Sequence, residues 1–183
     1  MNPIEQLIRG FQDLVAHVPE LVQPFVVMLA GVVPFVEGEV AALVGVVGGI
    51  NPIIAGVSAA AGNFLSVLLV VLLTSRARTA VVDRRAVRVP VAVGAVSSAE
   101  ALPVEKPESK GRAKFKRWLV RFGVPGASIL GPLAIPTQFT SAMLVAGGTS
   151  RAWVLLWQAV AIAIWTTVST VSVWAALTFL VDV

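Results

Sequence analysis

The sequence predicts an all-α integral membrane protein, and three observations point to that class. Of the 183 residues, 57% are hydrophobic and only 13% are charged, with a mean hydropathy of +0.88, whereas a soluble domain carries about a quarter charged residues. The segments 51–75 and 150–181 are apolar and long enough to cross the bilayer hydrocarbon, which takes about 20 residues. The segments 21–50 and 124–148 are equally apolar but are interrupted by prolines.

Composition also excludes several kinds of site. The chain has no cysteine and one histidine, so a disulfide, a thiolate metal site or a histidine metal cluster cannot form. It carries no nucleophile motif, no phosphate-cradling loop and no metal-ligand spacing. We therefore expect no enzymatic activity, no metal and no cofactor.

Basic residues concentrate in one segment. Twelve of the 14 Lys and Arg residues lie between Arg76 and Arg121. Because basic segments next to membrane spans stay in the cytoplasm, we predict a cytoplasmic linker over 76–113 and termini outside. Attraction to anionic lipid headgroups follows, and we expect no nucleic-acid partner. The predicted location is a bacterial-type inner (plasma) membrane, which the chain crosses more than once.

The first half, residues 1–75, reads as three elements. Apolar residues recur at helical spacing over 1–19, which predicts an amphipathic helix in the membrane interface. Segment 21–50 is broken at Pro34, and segment 51–75 predicts a transmembrane helix. Asn51 can cap that helix, and Pro52 suits its first position.

The second half, residues 114–183, repeats this order. It has an amphipathic stretch over 114–123, an apolar segment over 124–148 broken at Pro136, and a transmembrane helix over 150–181. The pieces on either side of each break are too short to span a bilayer. We therefore predict two re-entrant helical hairpins. Since each half crosses the membrane once, the two halves form an inverted repeat, an arrangement that places a site near the bilayer midplane.

Three stretches carry a resemblance to a known family. They are VPFVEGEVAALVGVVGGINP (33–52), GNFLSVLLVVLL (62–73) and IPTQFTSAMLVAGG (135–148). They resemble the small multidrug export family, which is similar in layout to the wider DedA group of membrane proteins. The resemblance covers about residues 24–75 and 115–174 and implies a role in transport. The family has a basic residue two positions after its hairpin glutamate, and this chain has Glu39 there.

Glu37 and Glu39 follow the first break and leave three hypotheses open. A shallow hairpin would leave both carboxylates in water at the headgroups. In a structural role, one carboxylate would accept hydrogen bonds from the opposite hairpin. In the third hypothesis, burial and the mutual repulsion of the acids raise a carboxyl pKa, so that a proton or cation is bound and released during transport.

Other polar residues are candidates for substrate binding: Gln138, Asn63, Thr137 and Gln158. Gln138 stands at the second break and can donate to a carboxylate, so we expect it to be the acids' partner. Asn63 lies in the middle of the first span, where interhelical hydrogen bonding is its simplest role.

The leading function is a small secondary transporter that exports amphipathic or cationic small molecules and is coupled to protons through Glu37, Glu39 or both. The alternatives are a DedA-like lipid translocase (flippase) and a membrane scaffold that does not transport. Because one copy offers few helices to shield two hairpin tips, we expect a homodimer.

Overall fold

The computed structural model describes Gln6, Gly10 and residues 17–87 and 123–180, which form helices and turns with no strand among them. The helices are α1 (Gln23–Val32), α2 (Glu37–Val47), α3 (Pro52–Val87), α4 (Thr137–Ala146) and α5 (Arg151–Leu180). Residues 123–130 are also helical and lead into a 3₁₀ turn at Gly131–Leu133. The predicted all-helical class is confirmed for this part of the chain.

Within the described part of the chain, two helices are long and apolar enough to cross a membrane. The candidate spans are Pro52–Val81 within α3 and Arg151–Phe179 within α5, of 30 and 29 residues. Only 33% and 22% of the residues in their most apolar windows are buried inside the protein. Broad exposed apolar surface of this kind is characteristic of contact with lipid or with another protein. Length and composition therefore support membrane association.

The start and the end of α3 differ in how well the sequence predicted them. The backbone N–H of Ile53 donates to Asn51 Oδ1 at 3.0 Å, which confirms the predicted cap. The helix itself does not end at residue 75, where the span was predicted to end, because α3 continues to Val87 through the first arginines of the basic segment. Charged residues can mark the membrane surface without ending a helix, and Arg and Ala are good helix formers.

The two proline-broken segments each contain a short helix on either side of the break. In the first, α1 has 10 residues and α2 has 11, and Pro34 lies in the turn between them. In the second, Pro136 immediately precedes α4, which has 10 residues. At about 1.5 Å per residue, such helices are about 15 Å long, roughly half the hydrocarbon thickness.

Helix α3 is the centre of the packing, since α1, α2, α4 and α5 all contact it. One apolar cluster joins α1 and α2 to the first half of α3 and includes Val27, Ala42 and Ala55. A second cluster joins the later part of α3 to α4 and α5 and includes Leu144 and Val154. The two broken segments thus pack on one shared helix.

Glycines allow the closest helix contacts. A Cβ atom on Gly62 of α3 would overlap the backbone carbonyl of Met28 in α1. A Cβ atom on Gly31 would lie 2.5 Å from the carbonyl oxygen of Ala59. Small residues at helical spacing therefore serve contacts within one chain.

Several predicted elements lie mainly outside the described residues. Of the predicted interfacial helix over 1–19, the structure describes Gln6, Gly10 and His17 as helical. The linker from residue 88 to 113 and residues 114–122 of the second amphipathic stretch are not described.

Candidate functional site

The two breaks meet at Glu37. Its Oε1 atom accepts a hydrogen bond from the backbone N–H of Thr137 at 2.6 Å and another from the Thr137 hydroxyl at 2.8 Å. Glu37 is the first residue of α2, and Thr137 is the first residue of α4. The side chains are 5% and 1% exposed. A buried carboxylate therefore joins the starts of the two helices that follow the breaks.

The position of Glu37 suits a negative charge. Free backbone N–H groups and the positive end of the helix dipole both lie at a helix N-terminus. Here the carboxylate lies at the N-terminus of its own helix and bonds the N-terminal amide of another. Two helix starts thus face one acceptor, and this arrangement stabilises the ionised form.

The backbone at the first break is held in an unusual conformation. Phe35 has φ 70° and Glu37 has φ 49°. These values lie in the left-handed region, which residues other than glycine rarely adopt. Each such residue costs of order 1–3 kcal/mol and persists only where its surroundings impose it. The surrounding contacts are the two hydrogen bonds that Glu37 accepts from Thr137 and the close approach of Thr166 to Gly38.

A buried polar network extends from Thr137 to α3. The Thr137 hydroxyl lies 3.0 Å from Asn63 Oδ1, and Gln138 Nε2 donates to Ser66 Oγ at 2.9 Å and lies 3.4 Å from Asn63 Oδ1. Ser66 in turn donates to the Asn63 carbonyl at 2.8 Å. Asn63, Thr137 and Gln138, three of the four predicted substrate-binding residues, therefore lie together beside Glu37.

Two details of this network were not expected. Thr137, and not Gln138, donates to Glu37, because Thr137 begins α4 and presents its backbone N–H and its hydroxyl on the same side. Gln138 is turned towards α3 instead. Ser66 was missed, although it follows Asn63 by three residues, which places both on one face of a helix.

The Thr137 hydroxyl has one hydrogen and three nearby side-chain acceptors. The acceptors Glu37 Oε1, Asn63 Oδ1 and Gln138 Oε1 lie 2.8, 3.0 and 3.5 Å away, and the hydroxyl donates to one of them at a time. Protonation of Glu37 weakens its carboxyl oxygen as an acceptor. Asn63 Nδ2 is buried without a hydrogen-bond partner. A change in the charge of Glu37 can therefore rearrange the network without moving a helix.

Burial dominates the acid–base properties of the two glutamates, which lie in α2 and outside both candidate spans. Loss of solvation raises the pKa of Glu37 from 4.5 to about 7, against the opposing effect of its bonds from Thr137, and the charge of Glu39 adds slightly to the rise. Burial also raises the pKa of Glu39. A carboxyl near neutrality can gain or lose a proton under physiological conditions.

Glu37 and Glu39 border a cavity of about 310 Å³ between the two breaks. Aromatic side chains of Phe35 and Trp165 also line it, and the remaining walls come from Val36, Val40 and residues 132–136. Trp165 is fixed by a bond from its Nε1 to the Ile129 carbonyl at 2.8 Å. Carboxylates combined with aromatic rings suit a cation that has apolar substituents.

Gln158, the fourth predicted binding residue, lies elsewhere in the interior. It is fully buried on α5, and neither of its amide atoms has a hydrogen-bond partner. It is not among the residues lining the cavity at Glu37. Within the described ranges, no group of three His, Asp or Glu side chains is placed to hold a metal ion.

Comparison with known proteins gave no relationship. No family model matches the chain, and neither the search of curated proteins nor the search of solved structures gave a match.

Proposed function

We propose that this protein is a small secondary membrane transporter, in which Glu37 exchanges a proton for an amphipathic cation. The observation that carries the proposal is the position of Glu37: a buried carboxyl that joins the two breaks and borders a cavity. The resemblance of the broken segments to the small multidrug export family agrees with this function.

The chemistry of exchange follows from competition for one carboxylate. The ionised Glu37 attracts a cation into the cavity, where Phe35 and Trp165 offer aromatic faces. Protonation of Glu37 removes the charge that holds the cation, which is then released. Glu39 borders the same cavity and contributes a second charge, so the exchange involves one or both acids.

Two re-entrant hairpins form the proposed membrane architecture. Helices of about half the bilayer thickness that meet at their breaks would place Glu37 near the midplane. Irregular backbone is stable at that depth only when it is buried in protein or lines a cavity. The exposed residues of the breaks, Phe35, Leu133 and Ala134, line the cavity at Glu37, which is how the proposed hairpins would meet that requirement.

The proposed inverted repeat has support from local structure at two helix ends. At the end of α2, the N–H of Ile50 donates to the Gly45 carbonyl, and Gly49 has a positive φ. At the end of α4, the N–H of Thr149 donates to the Leu144 carbonyl, and Gly148 has a positive φ. Each of these turns is followed by a candidate span, as the halves of a repeat would require.

A lipid translocase is the second candidate, and the surface between α3 and α5 favours it. A groove of about 660 Å³ lies between these helices, with mainly apolar walls and the hydroxyl residues Thr166, Thr167 and Thr170. Such a groove could accept an acyl chain while the three hydroxyl groups contact a headgroup.

Flux into proteoliposomes tests the proposal. With tetraphenylphosphonium as the probe, a pH gradient should drive uptake by the wild-type protein, and Glu37→Gln should abolish the pH-driven component. Glu20→Gln is the matched control, since Glu20 is exposed and lies outside the cavity. Uptake that is identical in Glu37→Gln and wild type would refute proton coupling through Glu37. Movement of a labelled phospholipid without uptake of the cation would establish the second candidate.

A further inference from the structure

A separate cavity of about 450 Å³ lies where α3 passes the start of α5, and it shares no residue with the cavity at Glu37. We propose that this cavity binds a phosphate group, carried either by the headgroup of an anionic lipid or by a free phosphate ion. The proposal does not depend on the transport function. The polar residues that line the cavity are Ser75, Arg78, Thr79, Thr149, Ser150 and Arg151.

The charges of this cavity are unbalanced. Among the residues that the structure describes, Arg78 and Arg151 line it and no Asp or Glu does. Arg151 is the first residue of α5, and the first turn of that helix contains no acidic residue. A cation at the positive end of a helix dipole is unfavourable. Two exposed arginines and a helix start therefore line one cavity, where an anion would be stabilised.

The two arginines come from different helices and are brought together by a tight turn. Gly148, just before α5, has φ 102°. A Cβ atom at this position would lie 3.1 Å from a guanidinium nitrogen of Arg78. Arg78 of α3 therefore lies directly against the turn that leads into Arg151. Guanidinium groups bind phosphate oxygens with paired N–H donors, and the hydroxyls of Thr149 and Ser150 offer further donors.

The depth of the cavity favours a lipid phosphate. From Pro52 to Arg78, α3 rises about 39 Å at 1.5 Å per residue, which exceeds the roughly 30 Å of hydrocarbon. If Pro52 lies at one interface, Arg78 lies among the headgroups of the other. Arg151 begins the second candidate span at the same surface. Phosphate groups of lipids are concentrated at that level.

Native mass spectrometry of the full chain in detergent tests the site. Three probes are titrated separately: phosphatidylglycerol, phosphatidylcholine and inorganic phosphate. We expect a bound phosphatidylglycerol molecule that Arg78→Ala or Arg151→Ala weakens about tenfold or more, as expected for the loss of a charge-assisted hydrogen bond. Arg76→Ala is the control, because Arg76 is exposed like Arg78 but does not line the cavity.

Arg151→Glu separates binding from folding. An acid in the first turn of α5 interacts favourably with the helix dipole, so this variant should keep or raise the thermal midpoint of unfolding. Its affinity for phosphatidylglycerol should fall more than tenfold. If inorganic phosphate binds with the same dependence on the arginines and phosphatidylglycerol does not, the site stands and its ligand is the soluble ion. The proposal would be overturned if wild type, Arg78→Ala and Arg151→Glu bound phosphatidylglycerol and phosphate with equal affinity. It would also be overturned if the wild-type protein bound phosphatidylcholine as tightly as phosphatidylglycerol.

Discussion

At the scale of single residues, Glu37 combines burial, a strained backbone and two hydrogen bonds from another part of the chain. Its carboxylate is 5% exposed, and its backbone has φ 49°. The bonds from Thr137 hold the charged form, while burial favours the neutral form. Because these effects oppose one another, a modest change in the surroundings can shift the proton equilibrium.

The Thr137 hydroxyl should contribute measurably to stability. Thr137→Val keeps the backbone bond to Glu37 but removes the hydroxyl from a buried carboxylate, which costs about 1–3 kcal/mol. Chemical denaturation in micelles measures this loss. Thr178→Val is the control, since the exposed Thr178 hydroxyl bonds only the Trp174 carbonyl of its own helix, and its replacement should change the free energy of unfolding by less than about 0.5 kcal/mol. Equal effects of the two variants would contradict a special role for Thr137.

Stability should fall as pH rises from about 4.5 to about 7. The folded protein holds a proton on Glu37 over this range, because the pKa is raised to about 7 from 4.5, whereas the unfolded chain has lost it. The free energy of unfolding is therefore highest below pH 4.5 and has fallen by roughly 3 kcal/mol once the pH exceeds the pKa of the folded state, about 7. Denaturation curves across this range should show the decline.

Glu37→Gln tests the source of that pH dependence. Glutamine resembles the protonated acid, so the variant should lose the larger part of the decline and keep the part that arises from Glu39. A decline of unchanged size in Glu37→Gln would show that another group is responsible.

At the scale of helices, the sequence predicted where helices break and how they are capped, but it did not predict which side chains of distant segments bond to each other. Pro34 and Pro136 act through the missing N–H and fixed φ of proline, and Asn51 acts through a bond to a residue two positions on; both are local effects. The partner of Glu37 depends on how two segments a hundred residues apart pack, as their hydrogen bond shows. The continuation of α3 past Arg76 was missed because charge pattern reports the membrane surface and not the helix end.

Gly62 provides a test of the packing between α1 and α3. Alanine normally stabilises a helix interior relative to glycine by about 1 kcal/mol. At Gly62 the sign should reverse, with a loss of about 1–3 kcal/mol or more, because the added Cβ atom would overlap the Met28 carbonyl. Ala61→Val is the control, since Ala61 is adjacent and exposed. A thermal midpoint for Gly62→Ala equal to or above wild type would contradict the close contact.

At the scale of the whole molecule, one chain already buries the meeting point of its two breaks. The homodimer was expected because a single copy seemed to lack the helices to shield two tips, but Glu37 and Thr137 are shielded within the protomer by α3 and α5. A dimer therefore remains a proposal that the site itself does not require. The exposed apolar faces of α3 and α5 are where lipid or a second copy would pack.

Cross-linking across the two breaks is the most direct test of the account, which holds that these breaks meet in the membrane around Glu37. The rings of Phe35 and Phe139 lie 6.4 Å apart across this junction, and the chain has no native cysteine. Phe35→Cys combined with Phe139→Cys should therefore be joined within one chain by a short bis-maleimide cross-linker in native membranes. Phe25→Cys with Phe139→Cys should not be joined, because Phe25 lies at the start of α1, at the end away from the break. Absence of the cross-link in the first pair, or equal cross-linking in both, would contradict the account.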